Sequence, residues 1–161
     1  KRILEIGTAI GYSALRMAHA HPDAEIVSIE KNSNMYQLAL DNINRFHHED
    51  KINVMLGDAL ELLDELALES KSFDFVFIDA AKSAYEQYFT LVEPLVPRNG
   101  VIVCDNVLFK GYVLNPPSAP HKRHETIAKK LQSFNRFLME RPNFHSSIVP
   151  IGDGVSISIK K

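Results

Sequence analysis

Five short apolar runs, Ile3–Ile6, Glu25–Glu30, Ile52–Leu56, Phe73–Ile78 and Val101–Cys104, alternate with stretches of helical pattern. Strands separated by helices cannot pair as tight hairpins, so the alternation predicts a parallel sheet covered on both faces. The helices are expected near Ser13–Ala20, from a cap at Asn32 or Ser33 to about Phe46, over Ala59–Glu69 with Asp58 as cap, and near Ala84–Leu95. Residues 107–121 contain Gly111, Pro116, Pro117 and Pro120 and read as a loop; an amphipathic helix follows at about Lys122–Glu140. The chain closes with Ser146–Pro150, a Gly152-Asp153-Gly154 turn and Val155–Ile159, which reads as an antiparallel hairpin at the sheet edge. The expected fold is α/β and Rossmann-like: one domain over residues 1–161, with a mostly parallel seven-stranded sheet and a C-terminal antiparallel hairpin. The length of 161 residues suits one domain with a sizeable core.

Two of the strands run into acid. Phe73–Ile78 is followed by Asp79, and Val101–Cys104 by Asp105 and Asn106. In an open α/β sheet ligands bind at the C-terminal strand edge. Asp79, Asp105 and Asn106 supply oxygen donors, which suit a hard cation such as Mg²⁺. Lys82, three residues after Asp79, is a candidate base beside that metal; the plain alternative is a salt bridge.

The first strand leads into Gly7-Thr8-Ala9-Ile10-Gly11, where glycines let a ligand approach the backbone. The spacing matches neither the G-x-G-x-x-G dinucleotide fingerprint nor a phosphate-binding P-loop. Glu30 closes the second strand, where an acid can bond both hydroxyls of a ribose. Asp58, after the third strand, is placed to face an adenine amino group. Together they suggest an adenosine ligand without a pyrophosphate.

Charge is unevenly spread. Residues 1–105 carry 9 Lys and Arg against 17 Asp and Glu, whereas residues 106–161 carry 9 against 3. A basic C-terminal part admits a polyanionic partner, or simply a solvated helix face. The one cysteine, Cys104, lies inside an apolar run and reads as a small buried hydrophobe. It permits no intramolecular disulfide, and a cytoplasmic protein is expected. No apolar run approaches the ~20 residues of a membrane span, and no leader is expected ahead of the opening Lys1-Arg2 pair.

The runs L-E-I-G-T-A-I-G-Y-S, V-S-I-E, G-D-A, F-I-D-A-A-K and D-N-V-L-F-K-G resemble the class I, metal-dependent O-methyltransferases that include catechol and caffeoyl-CoA O-methyltransferases. Within that group the G-T-A-I-G-Y-S-A and P-I-G-D-G-V-S-I-S-I-K-K segments are most similar to the bacterial tRNA 5-hydroxyuridine methyltransferases. The resemblance implies a class I methyltransferase fold that binds S-adenosylmethionine and Mg²⁺. It places Glu5, Gly7 and Ser13 at the methionine end of the cofactor, Glu30 at the ribose, and Asp58 with Ala59 near the adenine. It gives Asp79, Asp105 and Asn106 to the metal, with Asp79 also in the cofactor environment, and makes Lys82 the catalytic lysine. Members of the family carry a helical segment ahead of the first strand that helps cover the cofactor and contributes to dimerisation. This chain starts two residues ahead of that strand, so the segment is expected to be absent from it, and the full-length protein is expected to be a homodimer.

The function expected from the resemblance is Mg²⁺-dependent O-methylation of 5-hydroxyuridine in the tRNA anticodon loop. Its 5-hydroxyl and 4-carbonyl would form the same five-membered chelate as the two oxygens of a catechol. A splayed loop base can enter a pocket, and Lys110, Lys122, Arg123, Lys129 and Lys130 are available for the RNA backbone. Phe109 and Tyr112 are candidates to stack on a base. The alternatives are a small-molecule catechol or phenol O-methyltransferase and, in another class, a non-catalytic binding module for cofactor or RNA.

Overall fold

The chain forms β1 (Arg2–Ile6), α1 (Tyr12–Ala20), β2 (Glu25–Glu30), α2 (Ser33–Arg45), β3 (Ile52–Leu56), α3 (Ala59–Leu68) and β4 (Phe75–Ile78) in its first half. It continues through α4 (Tyr85–Val92), β5 (Val101–Asp105), α5 (Lys122–Glu140), β6 (Phe144–Val149) and β7 (Val155–Lys160). The computed structural model describes residues 1–161 and orders the strands β3-β2-β1-β4-β5-β7-β6 in one sheet. The first five strands pair in parallel, and β7 runs antiparallel between β5 and β6.

Strand periodicity divides the apolar residues between two faces. Leu4, Ile6, Val76, Ile78, Ile102 and Cys104 point into the larger core, which α3, α4 and α5 complete with Leu63, Phe89, Leu131 and Phe134. On the opposite face Ile3, Ile26, Ile52 and Val54 pack against Ala14, Ala18 and Ile43 of α1 and α2. Cys104 is fully buried, and burial pushes its thiol up to about 12, as befits an inert packing residue. No helix is long and apolar enough to cross a membrane.

Several boundaries differ from the pattern in the sequence. The helix expected near Ala84–Leu95 is α only over Tyr85–Val92, flanked by 3₁₀ turns at Lys82–Ala84 and Glu93–Leu95. Pro94 lies inside the second turn and has no N–H to continue the ladder. The 107–121 segment contains 3₁₀ turns at Phe109–Gly111 and Pro116–Ser118. The hairpin begins two residues early because Phe144 pairs with Lys160 and buries its ring beside Phe89. Its strand β6 forms the sheet edge, and β7 is interior.

The order places β1 between β2 and β4, so the chain reverses its winding there. This switch point opens a crevice at the C-terminal strand ends. On its far side Phe134 of α5 meets Tyr85 and Phe89 edge-on at 5.5 and 6.2 Å. Replacing Phe134 with Ala removes the ring that joins α4 to α5. We expect a loss of about 3–5 kcal/mol in urea unfolding; a loss below about 1 kcal/mol would contradict this packing.

Candidate active site

The glycine loop is shaped by contact rather than by flexibility. Gly7 has φ +104°, and a Cβ there would lie 2.1 Å from the Asp79 carbonyl oxygen. The Gly7 and Thr8 amides donate to the Ile29 carbonyl at 2.9 and 3.2 Å. Glu30 then ties three segments together: one carboxylate oxygen accepts from the Ala9 amide at 2.8 Å and the other from Asn32 at 2.7 Å. Asn32 caps α2 through the amides of Asn34 and Met35.

Glu5 lies beneath this loop, fully buried on the α1 face of β1. The hydroxyls of Ser13 and Ser28 both donate to it. Burial pushes its carboxyl up to about 7; the two hydroxyls oppose the shift, and the charges of Asp79 and Glu30 add to it.

The crevice itself is a cavity of about 270 Å³ lined by Gly7, Glu30, Asp58, Ala59, Asp79 and Tyr88, among others. Five of the residues singled out in the sequence therefore share one cavity. Glu5 and Ser13 do not line it; they hold each other under its floor. Asp58 caps α3 through the Leu60 amide at 3.0 Å and bonds Lys31 at 2.6 Å. The Lys31 bond and the Leu60 amide hold its carboxyl below the usual range. Tyr88 and Lys31 were not legible as site residues: Tyr88 sits on the apolar stripe of α4 like any core residue, and Lys31 follows its strand like any solvated lysine.

The acidic tips stand side by side because Ile78 pairs with Cys104 in the parallel ladder. One oxygen of Asp79 accepts from Lys82 Nζ at 2.6 Å, so the salt bridge and the site are the same contact. One oxygen of Asp105 accepts from the Asn106 amide at 2.6 Å, with Asn106 in the left-handed region at φ +57°. The second oxygen of each carboxylate and the Asn106 amide oxygen have no hydrogen-bond partner in the protein. Two carboxylate oxygens and an amide oxygen without protein partners, carried on neighbouring strand ends, are the donor types that fit a hard divalent ion such as Mg²⁺.

Tyr85 is the residue sequence reasoning missed here. Its buried hydroxyl donates to the Asp105 carbonyl at 2.9 Å and lies 3.3 Å from that of Ile78, so it links both tips. Lys82 Nζ sits 5.2 Å from its ring centroid. In the sequence Tyr85 is one apolar position in a helical pattern, and nothing local marks its hydroxyl. A larger groove of about 760 Å³ runs between α4 and α5 and meets the acidic site at Lys82; Lys129 and Lys130 line it. Phe109 packs edge-on against Tyr112 and His124, at 6.0 and 5.7 Å.

The O-methyltransferase family model matches residues 1–161, and the chain belongs to that family. It is 36% identical over 161 residues to caffeoyl-CoA O-methyltransferase 1 of Eucalyptus globulus, covering 98% of this chain and 65% of that protein. Among solved structures it resembles a candidate caffeoyl-CoA O-methyltransferase from Staphylococcus aureus, at 36% identity and TM-score 0.93, over all of this chain and 76% of that one. It also resembles the SAH-bound methyltransferase PaMTH1 of Podospora anserina, at 32% identity and TM-score 0.90, over 100% and 72% of the two chains. The chain thus spans about two thirds of the length of the curated relatives it matches.

The raised carboxyl of Glu5 has a measurable consequence. Between its ordinary value of 4.5 and about 7 the folded chain binds this proton and the unfolded chain does not. Its contribution to stability is therefore full below about 4.5 and falls as pH rises to about 7, by about 3 kcal/mol in total. Glu5→Gln should flatten that part of the pH profile in urea unfolding. An unchanged slope in the variant would refute the assignment.

Proposed function

We propose that this chain carries the S-adenosylmethionine-dependent, divalent-metal-dependent O-methylation of a small aromatic acceptor with two adjacent oxygens, as in a catechol. The carrying observation is Asp79. It lines the crevice with Gly7, Glu30 and Asp58, and it also stands in the donor set with Asp105 and Asn106. A methyl donor in the crevice and an acceptor oxygen at the acidic tips are then neighbours, the arrangement an in-line displacement needs.

The residues divide the work. Glu30 and Asp58 face the adenosine half of the cofactor, and Glu5 with Ser13 supports the loop beneath the methionine half. Asp79, Asp105 and Asn106 would hold a divalent ion, which supplies Lewis acidity toward oxygen. Lys82, whose side chain is mostly buried against Tyr85, is the base for the acceptor's hydroxyl proton at Nζ. Asp79 orients that amine through the 2.6 Å contact. Likeness to caffeoyl-CoA O-methyltransferases and to an SAH-bound methyltransferase supports the donor and the small-molecule class.

One observation favours a second reading, 5-hydroxyuridine in a tRNA anticodon loop. Lys110, Lys122, Arg123, Lys130 and Arg136 form no ion pair, and all lie in the basic segment after β5. Free cations on the segment that follows the second acidic tip suit a phosphate backbone. Methyl transfer assayed on free catechols and on 5-hydroxyuridine-containing tRNA, side by side with Mg²⁺, separates the two. We expect catechol turnover; transfer to tRNA alone would overturn the first reading in favour of the second.

Asp105→Ala should abolish metal-dependent transfer while calorimetry still shows S-adenosylmethionine binding; full activity with the metal chelated would refute the donor set. Lys82→Ala should lower kcat by roughly 10²–10⁴-fold with cofactor affinity nearly unchanged. Weakened cofactor binding at normal turnover would argue against its role as base.

A further inference from the structure

The Gly152-Asp153-Gly154 turn joins β6 to β7, and a turn of that composition needs no role beyond reversing the chain. Here its acid reaches outside the hairpin. The Asp153 carboxylate accepts from the Lys110 amide, 43 residues earlier in the chain. Its backbone carbonyl accepts from Leu108 N at 2.9 Å, and the Gly154 carbonyl from Val107 N at 3.0 Å. Three amides in a span of four residues thus end on two residues of the turn.

The span they hold is the continuation of the metal-ligand tip. Asn106, Phe109 and Lys110 all have positive φ, at 57°, 45° and 55°. Non-glycine residues in that region cost free energy and persist only where their surroundings fix them. The surroundings are identifiable. Asn135 of α5 donates to the Val107 carbonyl at 2.9 Å, and Leu108 presses on Gly154 so closely that a Cβ there would sit 2.3 Å from its side chain. Val155, just past the turn, pairs with Asp105 itself. Gly152, by contrast, has open space around it, so only the inner half of the turn is fitted to the loop.

We infer that Asp153 is a positioning residue for the oxygen donor set: it holds residues 107–110 in their strained path, and so fixes where Asn106 presents its amide oxygen beside Asp105 and Asp79. The inference rests on the proposed metal-dependent reading. It accounts for why the carboxylate bonds a loop amide rather than its own turn. Asp153 touches neither acceptor nor cofactor; it acts through Asn106.

Mn²⁺, titrated alone and followed by electron paramagnetic resonance, is the probe, with hydrogen exchange at residues 107–111 and S-adenosylmethionine calorimetry alongside. Asp153→Ala should weaken Mn²⁺ binding at least tenfold, speed exchange of the Lys110 amide, and change cofactor affinity less than twofold. Asp153→Asn, which keeps an acceptor oxygen, should stay within about threefold of the wild type. If Asp153→Ala fails to fold, Asp153→Gly keeps the turn and its carbonyl and is expected to behave as the Ala variant should. Faster exchange or a lower Tm with unchanged Mn²⁺ affinity overturns the inference and leaves Asp153 merely structural. Absence of Mn²⁺ binding by the wild type overturns the metal reading instead, so the two failures are distinct.

Discussion

The end of β1 and the end of β4 touch through backbone alone. Gly7 comes so near the Asp79 carbonyl that any side chain at that position would overlap it, and its φ of +104° independently favours glycine. This contact sits at the switch point of the sheet, where chain winding reverses and a crevice must open. It sets the distance between the glycine loop and the first acidic tip. The Ile78–Cys104 pairing then sets the distance from that tip to the second. The crevice and the paired tips are positioned from these two constraints, while the loop after Asp105 takes its path from the β6–β7 turn.

That edge concentrates Glu5, Glu30, Asp58, Asp79 and Asp105, and their carboxyls are accommodated in more than one way. Glu30 is spent on two backbone amides, Asp58 pairs with Lys31 at the exposed mouth, and Asp79 pairs with Lys82. Glu5 has no cation at all, and burial favours its neutral form up to about pH 7. The exposed Lys31–Asp58 pair contributes little to stability. Like Glu5, Glu30 and Asp105 form no ion pair.

Much of this was legible in the sequence because strand ends announce themselves. An apolar run that stops at an acid marks the strand's tip, although β4 begins at Phe75 rather than Phe73, and Asp58 and Asn32 behaved as the caps their positions suggest. What was not legible depends on partners far away in the chain. Ser13 and Ser28 are unremarkable until the fold points both at Glu5. The hydroxyl of Tyr85 matters because two strand ends converge on it. The sheet position of β7, inside rather than at the edge, is set by its pairing with β5, which no local pattern encodes. The early start of β6 is likewise decided by Phe144 finding Phe89.

Under the proposed function, chemistry and selectivity occupy different parts of the chain. The oxygen donors, Lys82 and the crevice come from the ends of β1 through β5, and two adjacent oxygens on any planar ring would present the same pair of ligands to an ion held there. An acceptor's bulk must instead meet what surrounds those tips: the 3₁₀ turns after β5, the groove lined by Lys129 and Lys130, and the basic start of α5. On these segments Lys110, Lys122, Arg123 and Lys130 form no ion pair. A free catechol needs only the tips, whereas a polyanionic acceptor would draw on the unpaired cations too. On the proposed reading, salt dependence of acceptor affinity would report on α5 and metal dependence on β4 and β5.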